Sequence, residues 1–347
     1  MSFALPAFPD LGALPFDDVV DVRAPSEYAE DHIPGAINLP VLSDAERARV
    51  GTIYVRQDRF LARKVGAALV SRNAACHLEG PLADRDGSWR PLIYCWRGGQ
   101  RSGSFATILS QVGWRVEVLD GGYRSYRRAV KTALYDTAFP CPVIVIDGGT
   151  GTAKTRLLNH LAAAGAQVLD LEGLADHRGS NFGGWGRDQP SQKMFESRLL
   201  RRIAELDPVR PVFVEAESNA IGRILLPPSL WRAMGEADAV RLTAPLAARA
   251  RHLIDAYPDL TADADRLAAR IDALRPYRPR DLVEGWHDLA RAGDFAALCE
   301  GLIEHHYDPA YARGRKPRPT VLAVAMEHLD EATLARTAAR IVDGIGS

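Results

Sequence analysis

Apolar residues along this chain follow two alternating rhythms. Short runs rich in branched and aromatic side chains at residues 19–22, Pro91–Tyr94 and 116–119 read as buried strands, whereas residues 60–70 and 123–134 carry apolar positions at helical spacing. Strands that alternate with helices predict a parallel α/β sheet. A short connector follows at residues 136–142, where Pro140 and Pro142 flank Cys141.

The same alternation then restarts. Val143–Asp147 is an apolar β-branched run, followed by a helical pattern through Leu157, Leu158, Leu161 and Ala162. Residues 167–171, 211–215 and 239–242 read as further strands, with helices at 193–206 and 245–256. Beyond that point the pattern is mostly helical, at 262–274, 282–292 and 295–305, before a last strand at 320–324 and a last helix at 330–345. Two α/β domains are expected, at 1–137 and 138–347, the second with a helical C-terminal part.

Composition agrees with two cores. The chain has 347 residues, 47% of them hydrophobic, which is long for one domain and natural for two. Its net charge of −1 carries no global nucleic-acid signal. Local basic clusters at Arg124, Arg127, Arg128 and Lys131, and at residues 313–318, are either RNA-facing or simply solvated. No opening segment has the order of a secretory signal, and no apolar run reaches membrane-spanning length, so a cytoplasmic chain with no membrane partner is expected. The four cysteines, Cys76, Cys95, Cys141 and Cys299, lack metal-like spacing, which suits reduced thiols better than disulfides or a zinc site.

Cys95 carries the first chemical signal. It ends the strand Pro91–Tyr94 and opens C-W-R-G-G-Q-R-S, with apolar residues Phe105, Ile108, Leu109 and Val112 at helical spacing beyond it. At such a strand-to-helix turn, Gly98 and Gly99 let backbone N–H groups point inward, and the helix N-terminus adds partial positive charge. Both lower a thiol pKa. Arg97 and Arg101 supply forked donors for a bound oxyanion, so a thiolate, persulfide or phosphoryl-like group is stabilised there. A buried structural cysteine beside a helix start is the plainer reading, but two glycines, two arginines and Ser102 in one turn exceed what packing requires.

The second signal is G-G-T-G-T-A-K-T from Gly148 to Thr155, placed between a strand and a helix as in a P-loop. Gly148, Gly149 and Gly151 let backbone N–H groups cradle phosphate oxygens, Lys154 adds a point charge, and the Thr155 hydroxyl can reach a metal such as Mg2+. Glu215, at the end of an apolar strand, stands where a Walker B-type acid is expected. Ala153 departs from the pattern, which has glycine before the lysine, and points to an altered loop or a ligand other than a nucleoside triphosphate. Residues 170–192 are rich in glycine and polar side chains and read as a loop over the phosphate site, with His177, Arg178, Ser180 and Asn181 as ligand contacts.

Together the two halves resemble the tRNA 2-selenouridine synthases. The first looks like a rhodanese domain through D-V-R-A-P-S-E-Y at residues 21–28, H-I-P-G-A-I-N at 32–38, the Cys95 loop and L-D-G-G-Y at 119–123. The second resembles that family's P-loop domain through the Gly148 loop, L-D-L-E-G-L-A-D-H-R-G-S-N-F-G at 169–183, Q-P-S-Q at 189–192 and V-F-V-E-A-E-S at 212–218. The resemblance implies replacement of sulfur by selenium in a wobble-position 2-thiouridine of tRNA, with selenophosphate as donor and S-geranylation from geranyl diphosphate as an associated step. It implies that Cys95 is the catalytic cysteine, holding a perselenide, and that the P-loop takes the prenyl diphosphate. No tightly bound cofactor is implied; tRNA is the partner, with the enzyme that supplies selenophosphate as a second.

Other classes stay open at this level. Five residues separate Cys95 from Arg101, which is also the spacing of cysteine-dependent phosphatases. A tRNA-directed sulfurtransferase uses the same cysteine, and a P-loop ATPase with a regulatory rhodanese-like module fits the same architecture.

Overall fold

The computed structural model describes residues 2–6, 14–178, 188–216, 218–314 and 318–345. By its internal contacts the chain divides into two units, Met1–Ala138 with Pro190–Glu205, and Phe139–Gln189 with Leu206–Ser347.

The first unit is built on β1 (Ser2–Phe3), β2 (Asp18–Asp21), β3 (Ile37–Asn38), β4 (Pro91–Tyr94) and β5 (Glu117–Leu119), in the order β1-β5-β4-β2-β3. Every pairing is parallel. All four residues of β4 are buried, as expected of a central strand covered on both faces. Val20, Val22, Ile93, Phe105 and Leu109 form the core between β2, β4 and the helix Gln100–Val112.

Two helices, Asp44–Arg56 and Arg59–Glu79, pack on each other in this unit. Periodicity shows only part of the second, because most of the first is exposed and only Ile53 is buried. Their starts are fixed by caps instead. Ser43 Oγ accepts from the Glu46 amide and Glu46 returns a bond to the Ser43 amide, while Asp58 accepts from Leu61.

The helix Gln192–Ala204 belongs with the first unit although it follows the Gly148–Thr155 loop in sequence. It buries Met194, Phe195, Leu199, Leu200 and Ile203. Its buried Glu196 accepts from Tyr135 Oη at 2.7 Å and pairs with Arg127. One member of the basic cluster on helix Gly122–Lys131 is therefore a structural ion pair, whereas Arg124, Arg128 and Lys131 are exposed.

The second unit holds β6 (Val143–Asp147), β7 (Gln167–Leu169), β8 (Val212–Glu215), an antiparallel pair β9 (Ala220–Ile221) and β10 (Ile224–Leu225), β11 (Asp238–Thr243) and β12 (Thr320–Ala325). Its main sheet runs β12-β11-β6-β8-β7, parallel throughout. β7 stops at Leu169, short of the expected 171, because the Asp170 side chain caps the helix Leu171–Ala175 by accepting from the Gly173 amide at 2.7 Å. A separate apolar cluster including Leu260, Leu267, Ile271, Trp286, Leu298 and Leu302 holds the C-terminal helices together. Among the described residues no helix is long and apolar enough to cross a membrane.

Candidate active centres

Both chemical signals lie at the C-terminal ends of central strands, where parallel α/β sheets open to ligands. Each unit carries its own centre.

In the first unit, Cys95 leaves β4 with only 3% of its surface exposed. Gly98 adopts φ +67°, and a Cβ there would stand 2.8 Å from the Leu119 carbonyl oxygen, so no other residue fits this bend. The bend aims donors back at the sulfur. The Gly99 amide lies 3.3 Å from Cys95 Sγ, and Ser102 Oγ lies 3.1 Å from it. Burial pushes the Cys95 thiol up, but the Ser102 hydroxyl, the amides of Ser102 and Arg97, and the Arg101 charge outweigh it, and the net shift is downward. The surroundings favour the thiolate form over that of a free cysteine.

The two arginines differ. Arg97 is exposed beside the loop, whereas Arg101 Nη1 binds Glu27 Oε2 at 2.8 Å. Glu27 also takes Arg47 at 2.8 Å. Burial pushes Glu27 up, yet its bond with Arg101 holds it below the usual carboxylate range, so the pair is ionic. Arg101 acts on Cys95 as a fixed nearby charge.

Below this loop lies a buried pair that pattern reading does not reveal. Arg23 and Asp21, respectively 1% and 0% exposed, meet through Nη2 and Oδ2 at 2.6 Å. Arg23 Nη2 also donates to the Asp31 carbonyl at 2.6 Å, and its guanidinium lies 4.0 Å from the Tyr123 ring centroid. Tyr123 in turn donates its hydroxyl to Asp31 Oδ2 at 2.6 Å, while its amide donates to the Cys95 carbonyl at 2.8 Å. The pair thus supports the strand ends from which the Cys95 loop departs.

In the second unit, the loop from Gly148 to Ala153 joins β6 to the helix Lys154–Ala163. Gly151 has φ +83°, and a Cβ there would be 2.9 Å from the Arg249 carbonyl oxygen. Ala153 holds φ +60° in the left-handed region, the backbone that glycine would take without strain. The loop geometry survives the substitution because the Ala153 methyl is buried in the apolar core below.

Lys154 Nζ donates to the Gly148 carbonyl at 3.1 Å, folding back over the loop. Thr155 Oγ1 lies 2.8 Å from Glu215 Oε2 and 3.0 Å from Glu172 Oε2. Burial, then the neighbouring charges of Glu172 and Asp170, pushes the Glu215 carboxyl up. A hydroxyl and crowded carboxylates are a donor set of the kind that hard divalent cations take. No group of three or more His, Cys, Asp or Glu side chains with metal-site geometry occurs among the described residues.

Arg249 braces the loop. Its Nε donates to the Thr150 carbonyl at 2.8 Å, and its two terminal nitrogens bind Asp308 at 2.9 and 2.6 Å. A cavity of about 600 Å³ opens over the loop, with Lys154, Thr155, Glu172 and Arg178 in its wall. Arg178 lies over the Tyr257 ring at 4.5 Å and binds Asp259 at 3.2 Å. His177, its neighbour, is not in that wall. Ser180 and Asn181 lie outside the described residues.

Glu172 could have been found from the sequence, because it sits in the polar D-L-E-G run beside the loop. Arg249 and Asp308 carry no local signal.

Comparison with known proteins matches this division. Residues 10–129 match the rhodanese-like domain, and residues 141–279 match the tRNA 2-selenouridine synthase AAA domain. A tRNA 2-selenouridine synthase of Nitrosomonas europaea is 37% identical over 72% of this chain and 66% of its own length. One from Bdellovibrio bacteriovorus is 36% identical over 69% of this chain and 64% of its own. The chain thus spans just under two thirds of those two relatives. A third, from Pseudomonas fluorescens, is 32% identical over 89% of this chain and 92% of its own length. With both domains matched in order and a relative aligned over nearly its whole length, the chain belongs to the tRNA 2-selenouridine synthase family.

Proposed function

We propose that the chain is a transferase that exchanges sulfur for selenium in the 2-thiouridine at the wobble position of tRNA, with selenophosphate as selenium donor and geranyl diphosphate as donor of a transient S-geranyl group. The observation that supports this reading is the presence, in one chain of this family, of a buried Cys95 whose surroundings lower its pKa and of a glycine-bent loop at Gly148 to Thr155 that lines a large cavity.

In the first reaction the base sulfur attacks the allylic carbon of geranyl diphosphate. The carbon–oxygen bond breaks, diphosphate leaves with the electron pair, and the uridine N3 proton goes to solvent. The cradle suits that leaving group, since the amides of the Gly148, Gly149 and Gly151 loop and the Lys154 charge stabilise developing negative charge. Thr155 and Glu215 would hold Mg2+, which adds charge against the diphosphate. In the second reaction, the selenium of selenophosphate held at the Cys95 loop adds to C2 of the base, the C2–S bond breaks with geranyl thiol departing after it takes a proton, and water then cleaves the Se–P bond, releasing inorganic phosphate and leaving selenium on C2. Sulfur made into a thioether leaves more readily than a thiocarbonyl sulfur. Arg97 and the Gly98–Gly99 turn hold the anion on the way.

Arg124, Arg128 and Lys131 are proposed contacts for tRNA phosphates, and His177, Arg178, Ser180 and Asn181 for ligand. The enzyme that makes selenophosphate is the proposed supplier, and the cytoplasm the proposed location.

Mass analysis of wobble uridine in tRNA from selenium-fed cells with and without this chain tests the reading. Cys95→Ser is expected to abolish selenation and spare geranylation, whereas Lys154→Ala is expected to reduce geranylation. Equal loss of both products in the Cys95 variant, or full geranylation in the Lys154 variant, contradicts this division of labour.

A further inference from the structure

A second cavity adjoins the phosphate cradle. It is a cleft of about 60 Å³ among the C-terminal helices, walled by Leu260, Leu267, Phe295, Leu298 and Leu302. It shares Thr150, Leu253, Tyr257 and Tyr307 with the 600 Å³ cavity over the P-loop. One side of those four residues therefore faces a cationic anion site and the other a hydrocarbon wall.

We infer that this cleft receives the hydrocarbon end of the prenyl diphosphate and sets its chain length; the inference rests on the reading of the P-loop as a diphosphate site. A nucleobase is a poor occupant. Among the described residues the polar side-chain groups in the wall are the hydroxyls of Thr150, Thr261, Tyr257 and Tyr307 and the thiol of Cys299, so a base would surrender most of its hydrogen bonds with water. A branched hydrocarbon loses nothing there and gains by leaving water.

Size makes the assignment more specific. At roughly 10–15 Å³ per water-sized centre, the cleft holds about four to six such atoms, which is about one five-carbon isoprene unit. The diphosphate and the first unit of the chain then occupy the larger cavity, and the second unit enters the cleft. The larger cavity, at about 600 Å³, has room for the thiolated base beside them, so the limit on chain length is set in the cleft. A five-carbon chain stops short of the cleft, and a fifteen-carbon chain carries one unit too many.

The wall lies at the edge of the helical cluster, where Leu260, Leu267, Leu298 and Leu302 already pack. Cys299, the smallest side chain of the wall contributed by helix Phe295–Leu302, is the position at which added bulk closes the cleft. Phe295, at the start of the same helix, is the position at which removed bulk lengthens it.

The test is calorimetric titration of the full chain with inorganic, dimethylallyl, geranyl and farnesyl diphosphates. Geranyl diphosphate is expected to bind about ten-fold or more tighter than dimethylallyl diphosphate, from burial of the second unit. Cys299→Phe is expected to reduce that ratio to about three-fold or less. Phe295→Ala, which adds no bulk, is expected to raise farnesyl diphosphate relative to geranyl diphosphate. Equal affinities for the five- and ten-carbon compounds, or ratios unmoved in both variants, overturn the cleft assignment while leaving diphosphate binding at the P-loop intact. Geranyl diphosphate binding that is unaffected by Lys154→Ala and not displaced by inorganic diphosphate overturns the diphosphate reading, and the cleft with it.

Discussion

Ser102 Oγ donates to Cys95 Sγ across 3.1 Å, from the first turn of the helix that follows the loop. Ser102 is fully buried, and its second short contact, to the Gly99 carbonyl at 3.2 Å, fixes its rotamer. The hydroxyl therefore has a structural reason to stay in place whether the sulfur is charged or not.

Ser102→Ala removes the largest of the contributions that lower the Cys95 pKa against the opposing effect of burial. Because the group loses charge stabilisation, the thiol titrates at higher pH and less thiolate exists near neutrality. Alkylation of Cys95 by iodoacetamide at pH 7 is expected to slow by about ten-fold, the worth of one hydrogen bond to a charged group. A rate profile against pH that coincides with the unsubstituted chain removes Ser102 from this role.

Arg23 and Asp21 make a different kind of pair, because neither reaches water. Arg23→Met leaves Asp21 as a buried carboxylate without its partner, which costs about 3–5 kcal/mol. Asp21→Asn in the Arg23→Met background is expected to recover a large part of that loss, since it removes the stranded charge. Denaturant unfolding of the three chains measures both steps. A double variant no more stable than Arg23→Met shows that the pair acts through packing on Tyr123 and not through charge.

These two pairs mark the limit of what the sequence makes legible. The Cys95 loop and the P-loop are readable because their signals are local: a strand, a glycine turn and a helix start within a dozen residues or so. Glu27 meets Arg101 across 74 positions, and Arg249 reaches Thr150 across 99 and Asp308 across 59. Such partners follow only from the packed fold. The helix Gln192–Ala204 is legible as a helix, but not as part of the first unit, because an amphipathic pattern records how much is buried and not against what.

Gly151 and Ala153 both sit at positive φ, yet they respond differently to substitution. Gly151→Ala drives a methyl into a backbone oxygen, which no rotamer change relieves, and is expected to cost about 1–3 kcal/mol and weaken diphosphate binding. Ala153→Gly relieves about 1 kcal/mol of left-handed strain, but it loosens the unfolded chain by about 0.4–1 kcal/mol and gives up a buried methyl. Its net effect on stability is expected to stay within about 1 kcal/mol. Thermal unfolding of the two chains side by side separates the two cases.

His252 is pushed down to about 4 by burial first, and then by the Arg156 guanidinium, whose Nη1 lies 3.3 Å from Nδ1. The folded chain therefore binds this proton more weakly than the unfolded chain, whose histidine titrates near 6.5. Stability is complete above about 6.5, falls as the pH drops toward 4, and loses about 2–3 kcal/mol over that window. His252→Gln is expected to flatten this part of the stability profile. A variant whose stability falls between pH 6.5 and 4 as steeply as before shows that carboxylates alone produce the slope.

Arg249 offers the most direct probe of the cradle, because it grips the Thr150 carbonyl with one nitrogen and Asp308 with the other two. That planar fork is what lysine lacks, so Arg249→Lys keeps the charge and loses the geometry. Asp308 is partly exposed, and its pair with Arg249 adds little to global stability. The effect should fall on the loop. The melting temperature of Arg249→Lys is expected to change little while the dissociation constant for inorganic diphosphate rises about ten-fold, since the loop amides must be held in register to act together. Asp308→Asn leaves the Thr150 contact intact and is expected to fall between the two. If Arg249→Lys instead binds diphosphate as tightly as before, the loop holds its shape through Gly148, Gly151 and the Ala153 methyl alone, and the arginine serves only to anchor its own helix.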